Sequence, residues 1–401
     1  MSGHKMKKRG GKKKGTARRD TRIATSGLDP HGNFGIINPP VYHASTVLFP
    51  TMKDLKKAVG DPFNNIYYGR FGTPTSAAFE EAAAEIEGGE RAIATSSGLA
   101  AITCTLMAFL KSGDHLLMAD TVYEPTRKFC DGILKGFGVE TEYYDPLIGG
   151  GIADLMRDNT HAVFMESPGS LTFEVQDVPA IAAAARERGA VSILDNTWGT
   201  PLFFRPFEHG VDIAIEAATK YIAGHSDAML GVIIMNEPHF KRLKTVTVAL
   251  GNSAGPDDCY LGLRGLRTLA VRLARHQKTG LTLARWLQKR AEVARVLHPA
   301  LPHDPGHELW KRDFTGSCGL FGVELKPVTG EKVTAMLDGF ELFGMGFSWG
   351  GFESLALAVE PKYSRSATIW EGKGPLLRLH AGLEDAGDLL ADLEAGLKRL
   401  A

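Results

Sequence analysis

The sequence predicts an α/β protein: a mostly parallel, doubly wound sheet followed by a smaller C-terminal α+β domain. Three observations carry this reading. Short apolar runs (His115–Met118, Ala162–Met165, Ala190–Leu194 and Val211–Ile215) recur along the chain. Strands buried on both faces of a parallel sheet read this way. The connections around the third run are long enough for crossovers, and Val178–Arg188 is helical in pattern. After Gly251 the character shifts to a long Arg-rich helical stretch and then to mixed strands and helices. A chain of 401 residues reads as two or three domains at roughly 150 residues each.

In chain order, residues 1–19 form a basic tail with nine Lys or Arg and no acid. The rest holds 37 basic and 46 acidic residues, so the body is acidic by nine charges while the whole chain is neutral. Such a tail reads as a polyanion attachment or, more simply, as a disordered terminus or expression remnant, and nucleic acid is not an expected partner. Residues 20–60 read as an irregular arm, because Asn38-Pro39-Pro40 and Gly27, Gly32 and Gly35 break any period. The span 61–255 is the expected α/β domain. Within it Thr75–Glu87 is a helix closed by Gly88-Gly89, Arg91–Thr95 a short strand and Gly98–Lys111 a buried apolar helix. The span 256–401 is the expected α+β domain. It opens with one helical stretch, Leu261–Lys289, whose arginines from Arg264 to Arg275 read as a solvated or interface face. Strands follow at Gly319–Leu325 and Leu376–His380, with helices at Gly330–Leu337 and Ala386–Leu400.

Composition excludes several classes. With 44 % apolar and 23 % charged residues, there is enough apolar area to offset chain entropy, so disorder is not the main state. The longest apolar stretch, Leu99–Leu110, falls well short of the ~20 residues a bilayer needs. No apolar segment follows the basic terminus, so no secretory signal is expected. Cys104, Cys130, Cys259 and Cys318 lie far apart and form no CxxC pair. That pattern predicts neither a disulfide framework nor a metal site, places Cys104 and Cys318 in the core, and suits a reducing cytoplasm.

Ligands of open parallel sheets bind outside the carboxyl ends of the strands, so the residues that follow each apolar run are the candidates. After Ala190–Leu194 comes Asp195, and after Val211–Ile215 come Thr219 and Lys220, 25 residues beyond the acid. After the run ending at Met118 come Asp120 and Tyr123. Before the apolar helix comes Thr95-Ser96-Ser97-Gly98, a helix start able to seat a phosphate. Phosphate seat, acid, lysine and aromatic ring on one rim suit pyridoxal 5′-phosphate. Its aldehyde takes a lysine amine, an acid keeps its pyridine nitrogen protonated, and an aromatic ring stacks on it. Each piece alone has a plainer reading: a turn acid, a surface lysine, a packed tyrosine, an ordinary cap. Their joint order carries the inference.

The residues also resemble a known family. Tyr67-Tyr-Gly-Arg70, Ser97-Gly-Leu-Ala-Ala101, Asp120-Thr-Val-Tyr-Glu-Pro125, Glu166-Ser-Pro168, Asp195-Asn-Thr-Trp198, Ala218-Thr-Lys-Tyr221, Gly224-His-Ser-Asp227, Arg264-Gly-Leu-Arg-Thr268, Ser348-Trp-Gly-Gly-Phe-Glu-Ser354 and Leu379–Asp385 resemble the Cys/Met-metabolism family of pyridoxal-phosphate enzymes, of fold type I. The resemblance covers about residues 20–400. It implies that Lys220 is the Schiff-base lysine and proton shuttle, that Asp195 pairs with the pyridine nitrogen and that Tyr123 stacks on the ring. It implies that Ser97, Gly98, Leu99 and the Thr219 hydroxyl hold the phosphate, with Tyr68 and Arg70 reaching a neighbouring subunit's phosphate. A homotetramer built as a dimer of dimers follows from that sharing. Arg378 is implied as the clamp for the substrate carboxylate, with Ser348, Trp349 and Tyr260 lining the substrate side. Without the family, Arg378 reads equally as an interdomain ion pair, and His225 reads as a structural residue of the loop after Lys220.

Tyr123-Glu-Pro125 and Ser348-Trp-Gly-Gly351 resemble most the branch that breaks the β-carbon–sulfur bond of cystathionine, giving homocysteine, pyruvate and ammonia. The sister branch acts at the γ-carbon and commonly carries a smaller residue at the position of Trp349. One departure stands out: Phe71 occupies a place where β-lyase relatives often carry a second Arg.

Overall fold

In the computed structural model, which describes residues 17–401, the apolar runs become strands of one large sheet. The strands are β1 Arg91–Thr95, β2 His115–Ala119, β3 Glu140–Tyr144, β4 Thr160–Glu166, β5 Val191–Asp195, β6 Ile213–Glu216 and β7 Gly231–Met235. Their order across the sheet is β1-β7-β6-β5-β4-β2-β3. Neighbours from β3 to β6 pair in parallel, while β7 runs antiparallel to both β6 and β1. The sheet is therefore mostly parallel, with one reversed strand near its edge. Two buried layers cover it, as a doubly wound sheet requires. Phe79, Ala82 and Ala83 of helix Pro74–Glu87 share one core with Val163, Leu194 and Ala214. Ile102 and Leu106 of helix Gly98–Phe109 share the other with Phe164, Ile193 and Ile215. Alternate residues of each strand thus face opposite layers.

Two strands of this sheet escaped the sequence pattern. Glu-Thr-Glu-Tyr-Tyr (β3) is an edge strand with no apolar run, and Gly-Val-Ile-Ile-Met (β7) has the composition of a buried strand but no crossover helix before it.

The second sheet is antiparallel throughout, in the order β10-β11-β9-β8. It comprises β8 Val293–Leu297, β9 Leu320–Leu325, β10 Leu355–Val359 and β11 Leu376–His380. Val323 and Leu379 pack there with Leu283, Leu337 and Leu393 from helices Leu269–Leu287, Gly330–Asp338 and Ala386–Lys398.

Three expectations need correction. The basic tail lies mostly outside the described residues, but its last residue is ordered: Arg19 opens helix Arg19–Thr25 and donates to Leu202 O at 3.0 Å. The arm is not wholly irregular, since Met52–Gly60 is a second helix, started by a Thr51 cap on the Asp54 amide. The stretch Leu261–Lys289 is two helices, Pro256–Leu266 and Leu269–Leu287, parted at Arg267-Thr268. Its arginines are not a solvated face either. Arg267 donates to Ile23 O and Ser26 O, buried Arg272 to Gly265 O and Ile222 O, and Arg275 to Glu384 O. Arg264 alone among them is exposed. Several of these acceptors are helix-terminal carbonyls, which lack intrahelical donors and attract cations.

All four cysteines are buried and unpaired. No helix among the described residues is long and apolar enough to cross a membrane.

Candidate active site

Asp195 is the last residue of β5, and it is buried. Both hydrogen bonds it accepts, from the Thr197 amide (3.0 Å) and hydroxyl (2.6 Å), fall on Oδ1. Oδ2 is left without a partner among the described residues. Burial raises the Asp195 carboxyl, against the Thr197 bonds and the nearby Lys220 charge, which lower it.

Lys220 follows β6 in a turn closed by its own amide on Ala217 O at 2.9 Å. Its Nζ donates to Ser348 Oγ at 2.8 Å and stands 5.4 Å from the Trp349 ring centre. Burial brings the amine down to about 8, helped by the Arg378 charge and opposed by Asp195. An amine near neutrality is suited to moving protons.

Ser348 holds a left-handed backbone, φ +78. Such strain in a non-glycine residue persists only where the surroundings impose it, and it gathers at functional sites. Gly350 explains the close approach: a Cβ there would sit 2.9 Å from the Lys220 carbonyl carbon, at φ +87. The segment thus lies directly on the lysine backbone. Trp349 packs on Tyr221 with ring centres 5.5 Å apart.

Arg378 lies in the middle of β11 and donates to Ser348 O at 3.2 Å and, more weakly, to Gly346 O at 3.4 Å. No carboxylate forms an ion pair with it among the described residues, so the interdomain ion pair is not observed. Burial lowers the guanidinium. A half-buried cation without a counter-charge suits an incoming carboxylate, which the guanidinium fork matches on two oxygens.

Tyr123 precedes helix Glu124–Phe129 and is 43 % exposed, so its ring is open to a ligand. Burial, Glu166 and Asp195 push its hydroxyl up, and Arg378 pulls the other way. Ser97 caps helix Gly98–Phe109 with its hydroxyl on the Ala100 amide at 3.1 Å. The Gly98 and Leu99 amides donate to nothing among the described residues, which leaves an anion seat open. Gly98 also lets that helix end touch the segment before Lys220, since a Cβ there would meet Ala217 Cβ at 2.5 Å.

Other expected residues stand apart. The Thr219 hydroxyl donates to Leu230 O (3.1 Å) and accepts from the Leu230 amide (2.9 Å), so its one proton is already engaged within the chain. Arg70 donates to Val248 O at 2.6 Å, lies 5.1 Å from the Phe71 ring centre, and is exposed like Tyr68. Neither bonds to the Lys220 group of its own chain. Tyr260, on helix Pro256–Leu266, makes no hydrogen bond or ring contact with that group. His225 holds Ala223 O at 2.7 Å from Nδ1, the structural position expected of it.

Sequence reasoning missed Glu166 as a site residue. It ends β4, pairs in register with Asp195, and accepts the Tyr123 amide at 2.7 Å. The signal was the same as for Asp195: an acid directly after an apolar run.

The model of the Cys/Met metabolism PLP-dependent enzymes matches residues 20–398. The chain belongs to this family. It is a pyridoxal-phosphate-dependent enzyme of fold type I, as the motifs implied. A putative cystathionine β-lyase of Rhizobium johnstonii is 50 % identical, covering 94 % of this chain and 95 % of its own. Cystathionine β-lyase of Escherichia coli is 44 % identical, over 95 % of this chain and 98 % of its own. The crystal structure of cystathionine γ-synthase from Xanthomonas oryzae superposes with a TM-score of 0.88 at 31 % identity, covering 96 % and 98 %. The cofactor fits the residues present: free Asp195 Oδ2, the half-buried Lys220 amine, the open Gly98 and Leu99 amides and the exposed Tyr123 ring form the complementary set.

Proposed function

We propose that the enzyme is a carbon–sulfur β-lyase that converts L-cystathionine and water to L-homocysteine, pyruvate and ammonia. The observation that carries the reading is the meeting of Lys220, Ser348 and Arg378, one half-buried amine and one unpaired guanidinium joined through a strained serine. The relatives named as cystathionine β-lyases support the choice of substrate.

When bound, pyridoxal phosphate supplies an aldehyde for amines and a ring that accepts the electron pair left at the α-carbon. Lys220 anchors it and, once freed, takes the α-proton on Nζ. Ser348 Oγ holds that nitrogen in place between proton transfers. Asp195 would hold the ring nitrogen through Oδ2 and keep its proton in place, and Tyr123 would supply the ring that stacks on it. Ser97, Gly98 and Leu99 would hold the phosphate, and the Thr219 hydroxyl would join them by giving up its bond to Leu230 O. Arg378 grips the α-carboxylate, which aligns the α-hydrogen with Lys220. Trp349 excludes water from the amine, and Lys220 returns a proton to the leaving sulfur.

Lys220→Ala is expected to bind the cofactor without a covalent link, and to release negligible pyruvate from cystathionine. Wild-type-like turnover of that variant would overturn the mechanism.

A second reading, γ-elimination or γ-replacement on the same scaffold, is favoured by the likeness to the Xanthomonas enzyme. The keto acid decides between them: β-cleavage yields pyruvate and γ-cleavage 2-oxobutyrate. Trp349 beside Lys220 favours β-cleavage.

The proposal extends to organisation. Residues 61–255 supply Lys220 and Asp195, and residues 256–401 supply Ser348, Trp349, Arg378 and Tyr260. Tyr68 and Arg70 serve a neighbouring subunit in a dimer of dimers. The four buried thiols suit a cytoplasmic setting.

A further inference from the structure

We infer that Glu166 is a positioning residue held as the neutral acid, leaving Asp195 the only ionised carboxyl of the pair while fixing Tyr123 through its backbone amide. The inference rests on the placing of Asp195 and Tyr123 against the cofactor given above. Glu166 and Asp195 end adjacent parallel strands at directly paired positions. Paired positions in a sheet put side chains on the same face, so the two carboxyls are neighbours. The groups that face Glu166 are Asp195 from β5 and Tyr123 at the start of helix Glu124–Phe129. No cation forms an ion pair with it among the described residues. Lys220 and Arg378 bear instead on Asp195 and Tyr123.

Two carboxyls side by side without a shared cation do not both ionise. The local donors decide which one keeps the proton. Asp195 accepts two bonds from Thr197 and feels the lysine, whereas Glu166 accepts one backbone amide. Negative charge therefore settles on Asp195. Burial first, and Asp195 second, push the Glu166 carboxyl well up, in the same direction. Neutral Glu166 still accepts the Tyr123 amide on Oε2, and the ring nitrogen then meets a single charge rather than two.

The test compares the full chain with Glu166→Gln and Glu166→Ala. Gln copies the neutral acid in shape and keeps an acceptor for Tyr123. In the apo-protein at neutral pH, the infrared difference between wild type and Glu166→Gln should show a protonated-carboxyl band that the variant has lost. Cofactor affinity, read by absorbance titration, should stay within about threefold in Glu166→Gln and weaken roughly tenfold in Glu166→Ala, which loses the amide anchor. The pH midpoint of the bound cofactor's visible spectrum should be the same in wild type and Glu166→Gln. The inference is overturned if no such band exists, or if Glu166→Gln moves the midpoint by about one unit or more. Affinity unchanged in Glu166→Ala overturns it as well. Should the Ala variant not fold, the Gln spectra and titration still decide. None of these readouts uses cystathionine, so they stand or fall separately from the substrate assignment.

Discussion

The chemistry of single residues follows from where burial outweighs charge. Lys220 has its amine brought down to about 8 chiefly by desolvation. Only the unprotonated amine attacks an aldehyde. In the apo-protein the rate at which Lys220 captures pyridoxal phosphate should therefore rise as pH is raised and level off above about 8, measured by stopped-flow absorbance. A rate that falls over the same range would contradict the assignment. Asp195 and Lys220 stood out in the sequence as candidates because each lies at the carboxyl end of a buried strand, where topology leaves few alternatives. Glu166 follows the same rule, yet its partner is the backbone of Tyr123, 43 residues away, and no local pattern encodes that. The Thr219 hydroxyl shows the converse. Its motif places it beside Lys220, but its proton is held by Leu230 O just before β7, a contact that the pattern did not reveal.

At the scale of elements, Asp120 joins the two sheets. Placed after β2, it is buried and accepts the amides of Ser366, Ala367 and Thr368, the Thr368 hydroxyl, and Arg127 at 2.6 Å. Burial alone would raise its carboxyl, but the bonds from Thr368, Ser366 and Ala367 outweigh this and hold it below the usual value of 3.8. A depressed carboxyl stabilises the fold above its unfolded value, and that contribution is lost as pH falls through the lower folded one. Asp120→Ala leaves Arg127 without its carboxylate partner and should cost roughly 3 kcal/mol in denaturant unfolding. Hydrogen exchange at residues 366–368 should rise with it, and unchanged exchange there would refute the latch. The sequence marked Asp120 only as a rim acid, since a contact 246 residues away has no local signature. Helix ends were more legible. Thr73, Ser97 and Asp385 cap their helices with side chains as their residue types predict. The break at Arg267-Thr268 falls just after Gly265 and was not foreseen, and the arginines beside it were misread because their hydrogen-bond partners are mainly backbone carbonyls, with an acid only near Arg275, where Asp385 stands at 3.9 Å.

For the molecule as a whole, Tyr68 and Arg70 are the decisive pair. Within one chain both are exposed, and Arg70 bonds Val248 O rather than the Lys220 group. If they complete a neighbour's site, Lys220→Ala and Arg70→Ala are each inactive alone, but mixing and subunit exchange should restore part of the wild-type activity. Recovery near zero after confirmed exchange would show that each site is self-sufficient. The large sheet was legible because its strands are apolar and its crossovers helical. The small sheet was half legible, for β8 and β10 carry outward-facing polar or exposed positions that blur the run.

The guanidinium of Arg378 stands on the small sheet and the amine of Lys220 on the turn that follows β6 of the large one, and Ser348 is the stitch between them. An amino acid gripped at both ends therefore acts as a rivet across that seam. A simple amine, lacking the carboxylate, is fastened on one side only and adds no link across that seam.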